Sequence, residues 1–347
     1  MNSDSQGKIS IQMTRPTRIT TEVDFDKRGK QLGFLRLPHS VHRSAYGWLA
    51  IPLIVINNGE GPTVLLTAGN HGDEYEGQLA LMKLCQELEA DVVHGRIIML
   101  TAANFPAAIA GSRTSPIDDL NLNRSFPGDP EGRPTSAIAH YIESELLTLA
   151  DYAIDLHSGG SSLMYLPSAL TARVNDNEID GKTLEMLKAF AAPIGYWARP
   201  AQEDRTMIAA ANRMKVPVIG TELGGSGTTS VHSLDVAERG VRRVLKHLGS
   251  VPEMEIGDPL PASRIMEVRE ASYYVYSPDY GLWEPLADLG DDVQAGQPAA
   301  AVYSQETPWR QPVTTYFEHS GTIVCRRVPG TVHRGDCLFH LATDWEG

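Results

Sequence analysis

The chain has 347 residues, of which 42% are hydrophobic and 21% are charged, a composition typical of globular proteins. Its net charge of −13 argues against nucleic acid or an anionic membrane surface as a partner. No apolar stretch approaches the roughly 18 residues of a membrane span, and no basic region precedes an apolar segment at the start of the chain. We therefore expect a cytoplasmic protein whose three widely spaced cysteines are reduced.

Strands alternate with helices over most of the chain. Residues 1–22 are polar, and we expect them to be loosely ordered. Residues 48–56 form a β-type run ending in Asn57-Asn58-Gly59, which predicts a hairpin turn into the strand that begins near residue 63. Later apolar runs of strand length alternate with amphipathic helical stretches. This pattern predicts an α/β fold, with a mainly parallel, mixed sheet sandwiched by helices over residues 23–250.

The character of the sequence changes near residue 250, where Pro252, Pro259 and Pro261 mark a linker. Residues 251–347 are rich in β-type runs and turns, which predicts a small C-terminal all-β domain. Its two halves resemble a barrel-sandwich of the biotinyl/lipoyl type. Residues 281–347 contain no lysine to carry such a group, so we interpret this domain as structural.

Ionisable side chains follow three of the predicted strands. His71 and Glu74 follow the strand beginning at residue 63, His157 follows the strand ending at residue 156, and Glu222 follows the strand ending at residue 221. An isolated histidine is most often a structural residue, but buried His and Glu are costly unless paired. Ligands of open α/β sheets bind at the carboxyl ends of the strands. An imidazole and a carboxylate in this position can share a divalent metal ion such as zinc.

A long segment without clear periodicity, residues 102–134, separates two of these strands. A loop of this length in a compact domain is usually either functional or wrongly assigned as a loop. It contains Arg113 and the pair Asn123-Arg124. An arginine can grip a carboxylate through two parallel hydrogen bonds, and a neighbouring amide can orient it. An Asn-Arg pair alone is usually a solvated surface feature, but its place between the strands that carry the candidate ligands favours substrate binding.

Four motifs together resemble the succinylglutamate desuccinylase/aspartoacylase family, a branch of the zinc carboxypeptidase-like hydrolases. They are His71-Gly72-Asp73-Glu74, Asn123-Arg124, Asp155-Leu156-His157 and Thr221-Glu222-Leu223-Gly224. Within that family, residues 69–77, 113–118 and 123–128 resemble the N-α-acetyl-L-2,4-diaminobutyrate deacetylases of ectoine breakdown. Two features depart from the family: position 121 is Asn where many members have Asp, and residues 199–205, which should shape the side-chain pocket, do not match the deacetylases.

The resemblance implies that one zinc ion is held by three residues, His71, Glu74 and His157. It also implies that Glu222 is the general base, that Arg113 polarises the scissile carbonyl, and that Asn123 and Arg124 bind the α-carboxylate of the substrate. The implied reaction is hydrolysis of the amide bond of a small N-acylated amino acid, with N-α-acetyl-L-2,4-diaminobutyrate as the leading candidate. Residues 23–250 would then form a zinc-dependent hydrolase domain.

Other functions stay open at this point. The substrate could be another N-acyl amino acid, such as an N-acyl aspartate or an N-succinyl glutamate, or a small peptide. The chain could also be a catalytically silent zinc-binding homologue. A nucleotide site at the Gly-rich residues 222–229 is disfavoured because the lysine of a phosphate-binding loop is missing. The sequence does not decide between zinc and another divalent metal, nor whether the chain forms a homo-oligomer.

Overall fold

The computed structural model describes residues 16–198 and 203–346. Its helices are α1 (Glu76–Glu87), α2 (Phe105–Ala110), α3 (Pro134–Tyr141), α4 (Leu147–Leu149), α5 (Asn177–Phe190), α6 (Met207–Arg213) and α7 (Val231–His247). A π-helical turn, Ile142–Leu146, joins α3 to α4. None of the helices in these ranges is both long and apolar enough to cross a membrane.

The strands fall into an N-terminal and a C-terminal series. The first series is β1 (Thr20–Thr21), β2 (Gly29–Pro38), β3 (Trp48–Asn57), β4 (Thr63–Ala68), β5 (Arg96–Leu100), β6 (Tyr152–Leu156), β7 (Leu163–Tyr165), β8 (Ser168–Ala172), β9 (Ile194–Ala198) and β10 (Val218–Glu222). The second is β11 (Arg264–Glu267), β12 (Tyr274–Tyr276), β13 (Gly281–Pro285), β14 (Asp292–Val293), β15 (Pro298–Tyr303), β16 (Val313–Tyr316), β17 (Gly321–Arg327), β18 (Thr331–Val332) and β19 (Cys337–Asp344). Residues 1–15, most of the segment predicted to be loosely ordered, lie outside the described residues.

The larger sheet is mixed, and its central strands β5, β4, β6 and β10 run parallel. Its strand order is β1-β2-β3-β5-β4-β6-β10-β8-β9-β11-β19-β17-β14. Every residue of β4 is buried, because helices cover both faces of the sheet. Side chains of α1, α5 and α7 pack on one face and those of α3 and α6 on the other. The predicted mixed α/β fold is therefore confirmed.

The hairpin predicted at Asn57-Asn58-Gly59 is wrong. β3 pairs antiparallel with β5, so β5 lies between β3 and β4. The polar side chains of this segment instead close neighbouring loops: Asn57 Nδ2 donates to the carbonyl of Asp26 at 2.9 Å, and Asn58 Nδ2 to that of Val93 at 3.0 Å. β5, which comes later in the chain, thus occupies the position beside β3 that the hairpin prediction gave to β4.

The separate C-terminal barrel-sandwich is not confirmed. β11 pairs in parallel with β9, at Arg264 opposite Ile194, and β19 then pairs with β11, so C-terminal strands extend the large sheet. A second sheet does exist, with the order β16-β15-β13-β18. It shares an apolar cluster with β17 and β19 that includes Phe317 and Phe339. The β-rich character was predicted correctly, whereas the pairing across residue 250 has no local signal in the sequence.

Two helical glycines differ in the space around them. A Cβ on Gly240 of α7 would lie 2.3 Å from ring carbons of the buried Phe190 of α5, whereas a Cβ on Gly181 of α5 would meet nothing within 4 Å. We expect Gly240→Ala to lower the free energy of unfolding by about 1–3 kcal/mol, because overpacking outweighs the better helix propensity of alanine. Gly181→Ala should raise it by about 0.5–1 kcal/mol. Urea denaturation measures both, and a Gly240→Ala variant as stable as the wild type would contradict the α5–α7 packing.

Candidate active site

Three neighbouring parallel strands bring the candidate residues to one edge of the sheet. Thr67 of β4 lies opposite Asp155 of β6, which lies opposite Gly220 of β10. Since the three strands run parallel and in this register, the residues that follow them meet at the same edge. The residues singled out from the sequence lie at this edge: His71 and Glu74 follow β4, His157 follows β6, and Glu222 is the last residue of β10.

His71, Glu74 and His157 form a compact, buried group. Nδ1 of His71 lies 2.6 Å from Oε1 of Glu74, and Nδ1 of His157 lies 2.8 Å from Oε2 of the same carboxylate. One candidate ligand atom from each residue lies within 4.8 Å of the other two. The three residues could therefore hold one metal ion between them, and their nitrogen and oxygen donors suit zinc.

The outer nitrogens of both imidazoles have partners of their own. Nε2 of His71 lies 3.0 Å from Oδ1 of Asn121, and Nε2 of His157 lies 2.8 Å from Oδ2 of Asp155. The hydroxyl of Thr67 donates to the other Asp155 oxygen at 2.7 Å. Such contacts orient histidine ligands and leave the inner nitrogen free for a metal. Asn121 supplies this contact as an amide, although the resemblance leads one to expect a carboxylate there.

Burial and neighbouring charges shift the pKa values of these groups in opposite directions. Burial raises the pKa of Glu74, but the charges of His157 and His71 prevail and hold this pKa below its usual range. Burial lowers the pKa of His157, yet Asp155 and Glu74 together bring it well above the ordinary value. The group is thus stabilised by mutual pairing, which a bound cation would replace.

Glu222 differs from these groups, because one oxygen of its carboxylate has no hydrogen-bond partner among the described residues. Oε2 of Glu222 is buried and accepts no hydrogen bond from any residue in the described ranges. Burial raises the pKa of Glu222 well above its usual value, and the negative charge of Glu74 raises it further. A buried carboxylate oxygen without a hydrogen bond is costly, and a carboxyl group with a raised pKa in a cleft is a candidate functional group. A cation on the neighbouring ligands would offset this cost.

A cavity of about 460 Å³ opens beside these residues. Its wall includes the candidate metal ligands and base, and also three residues of the long loop: Arg113, Asn123 and Arg124. Nη1 of Arg113 lies 3.5 Å from Oε1 of Glu74. Asn123 is fixed by the main-chain N–H of Met207, which donates to its Oδ1 at 2.8 Å, and Arg124 donates to the carbonyl of Asn123 at 2.6 Å. The sequence-predicted site residues therefore line one cavity.

The long segment 102–134 packs directly on residues 71–74, which carry the candidate ligands His71 and Glu74. A Cβ on Gly72 would lie 1.9 Å from the carbonyl oxygen of Ala107 in α2, so only glycine fits between His71 and Asp73. The Asp73 carboxylate accepts hydrogen bonds at 2.8 Å from the N–H and the hydroxyl of Ser161, which follows β6. These contacts join the loops that follow β4 and β6.

Sequence reasoning missed several residues of the cavity wall. Tyr274 of β12 belongs to the C-terminal part of the chain, which the sequence analysis interpreted as structural. Glu203 also lines the cavity and lies 3.5 Å from Arg124. It belongs to the stretch 199–205 noted above, of which residues 199–202 lie outside the described ranges. For Glu203 the sequence offered a signal, because residues 199–205 were expected to shape the side-chain pocket. For Tyr274 it offered none.

Comparison with known proteins adds independent information. Residues 60–248 match the model of the succinylglutamate desuccinylase/aspartoacylase catalytic domain. The chain is 43% identical over 328 residues to the N-alpha-acetyl-L-2,4-diaminobutyric acid deacetylase of Halomonas elongata, covering 94% of this chain and 96% of that protein.

Solved structures agree with this relationship. The product-bound ectoine utilization protein EutE (DoeB) from Ruegeria pomeroyi superposes with a TM-score of 0.91 and 39% identity, covering 95% of this chain and 99% of that one. A succinylglutamate desuccinylase from Silicibacter sp. TM1040 gives a TM-score of 0.90 and 37% identity, covering 95% and 100%. The similarity therefore extends over the C-terminal strands as well as the α/β part.

The geometry predicts a single metal site that depends on His157. We expect His157→Ala to weaken binding of Zn²⁺ by more than the roughly 10–100-fold typical of losing an outer contact, because an inner ligand disappears. Asp155→Asn removes only an outer contact, so it should weaken Zn²⁺ binding by about 10–100-fold. Competition with a chromogenic chelator measures both, with His232→Ala at the exposed start of α7 as the control. Unchanged affinity in His157→Ala would rule out this site.

Proposed function

Because the chain belongs to the succinylglutamate desuccinylase/aspartoacylase family, whose members are amidohydrolases, we propose that it is a zinc-dependent deacylase acting on N-α-acetyl-L-2,4-diaminobutyrate. The products would be 2,4-diaminobutyrate and acetate. One observation carries the proposal: ligand atoms of three candidate metal ligands lie within 4.8 Å of one another, in a cavity that also contains Glu222, whose Oε2 is buried and has no hydrogen bond within the described residues.

His71, Glu74 and His157 would hold the zinc ion. Zinc bound there would polarise the scissile carbonyl and acidify a water molecule in the cavity. The fit rests on the donor set and on the outer contacts of both imidazoles, at 3.0 Å and 2.8 Å, which turn their Nδ1 atoms toward Glu74.

Glu222 would act as the general base and then as the general acid. Its carboxylate accepts a proton from the attacking water and later delivers it to the nitrogen of the departing amine. Burial raises the pKa of Glu222 and so increases its proton affinity, an effect that the charge of a neighbouring cation moderates. A carboxylate with its proton affinity tuned in this way can serve both steps near neutral pH.

Arg113 would stabilise the charge that develops on the carbonyl oxygen. Its guanidinium lies 3.3 Å from Nδ1 of His71 and 3.5 Å from Glu74, and its side chain is 46% exposed, so it can reach a bound amide. A preorganised donor of this kind is worth about 3–4 kcal/mol in the transition state.

Asn123 and Arg124 would bind the α-carboxylate of the substrate. Both line the cavity. Met207 N–H donates to Oδ1 of Asn123, and Nδ2 of Asn123 lies 3.4 Å from Nε2 of His157, so the second N–H of Nδ2 can donate to a substrate. Arg124 presents a guanidinium that suits bidentate binding of a carboxylate. This anchor would place the amide over the metal ligands, and it distinguishes small acylated amino acids from internal peptide bonds.

A substrate panel tests the proposal. We expect the highest kcat/KM on N-α-acetyl-L-2,4-diaminobutyrate, lower values on N-acetyl-aspartate and N-succinyl-glutamate, and loss of all activity after chelation with recovery on adding Zn²⁺. The related structure of a succinylglutamate desuccinylase makes the last substrate a necessary comparison. A preference for either dicarboxylic substrate would contradict the substrate assignment, and a metal-loaded chain inactive on all three would contradict deacylation.

Glu222→Gln separates proton transfer from metal binding. The amide keeps the size of the side chain but cannot accept the proton, so we expect kcat to fall by about 10²–10⁴-fold. Zinc content should stay unchanged, because Glu222 is not among the candidate ligands. Glu178→Gln, an exposed position on α5, is the control. A near-wild-type kcat in Glu222→Gln would remove Glu222 from the mechanism.

A further inference from the structure

Among the described residues, the wall of the cavity contains one carboxylate to which the proposed reaction assigns no role. Glu203 lies on the segment before α6, lines the cavity together with Arg113 and Arg124, and is 32% exposed at its side chain. Its Oε2 lies 3.5 Å from Nε of Arg124. The other acidic residues of the cavity wall are already engaged as a candidate ligand, its partner or the base: Glu74, Asp155 and Glu222.

Arg205 holds the Glu203 carboxylate in place. Nε and Nη2 of Arg205 each donate to one carboxylate oxygen at 2.8 Å, and its main-chain N–H donates at 3.0 Å. These hydrogen bonds lower the pKa of Glu203 to about 2, so the group is ionised throughout the neutral range. A carboxylate has about four acceptor sites, so Oε2, the oxygen nearest Arg124, can still accept from a ligand.

The Glu203 carboxylate is therefore held beside the proposed anchor for the α-carboxylate, with part of its charge offset by Arg205. Without it, Arg113 and Arg124 would attract a second carboxylate on the substrate as readily as the first. Glu203 repels a second carboxylate and attracts an ammonium group in the same place, because complementary charge favours one ligand and like charge disfavours its competitor. The side chain of 2,4-diaminobutyrate is short, so its amine would stay close to the α-carboxylate held by Arg124.

We propose that Glu203 determines substrate specificity by favouring N-acyl amino acids with a cationic side chain over those with a second carboxylate. This inference rests on the proposed function, and in particular on Arg124 as the anchor of the α-carboxylate. The next residue, Asp204, provides a matched control. It carries the same charge and is exposed, but it is not part of the cavity wall.

The experiment compares wild type, Glu203→Gln, Glu203→Asp and Asp204→Asn. The substrates are N-α-acetyl-2,4-diaminobutyrate, N-acetyl-aspartate and N-α-acetyl-2-aminobutyrate, which lacks a charged side chain. In Glu203→Gln we expect the ratio of kcat/KM for the diamino substrate over N-acetyl-aspartate to fall about tenfold or more, the effect of losing one charge contact of moderate strength. The change should lie mainly in KM and leave the neutral substrate nearly unaffected. Glu203→Asp, which keeps the charge, and Asp204→Asn should preserve the wild-type preference.

Two results would overturn this inference and leave the proposed function intact. An unchanged preference in Glu203→Gln would mean that the carboxylate does not contact the substrate side chain. An equal loss on all three substrates would mean that Glu203 acts only by holding Arg124. Absence of wild-type turnover on every substrate would overturn the proposed function and this inference together, so the two failures are distinguishable.

Discussion

The parallel register of β4, β6 and β10 is the constraint on which the site depends. It aligns Thr67, Asp155 and Gly220 across the sheet, so that the chain leaves all three strands at one edge. The imidazoles and carboxylates that follow then meet without any loop having to reach far. Both faces of these strands are buried under helices, which fixes their positions. A rigid sheet of this kind can hold ligand atoms to the tolerance that metal binding needs.

The same edge concentrates charges that would be unfavourable in isolation. Asp155 compensates His157, and the two histidines compensate Glu74, so each of these buried groups has a partner of opposite charge or a hydrogen bond. Glu222 has no such partner for Oε2 within the described part of the chain. Four groups are thus paired, whereas one oxygen of the Glu222 carboxylate is not, and Glu222 is the residue proposed to act as the base.

The cavity is built from parts of the chain that are distant in sequence. The α/β sheet supplies the candidate ligands, the long loop supplies Arg113 and Arg124, and β12 from the C-terminal part supplies Tyr274. The C-terminal strands reach this position because β11 and β19 continue the large sheet. In the proposed function, reaction and selectivity would have separate origins: the sheet edge would place the reacting groups, and the surrounding loops would set the charges that a substrate meets.

The sequence by itself determined the strand ends at which His71, Glu74, His157 and Glu222 lie, because apolar runs of strand length followed by turns are local signals. It also determined the alternating α/β character and the β-rich C-terminal part. Only the tertiary structure decided that β5 separates β3 from β4 and that β11 joins the large sheet through β9. The presence of Glu203 and Tyr274 in the cavity wall was likewise decided at that level. Strand order and cavity walls depend on hydrogen bonding and packing between residues far apart in the chain, which no local pattern encodes.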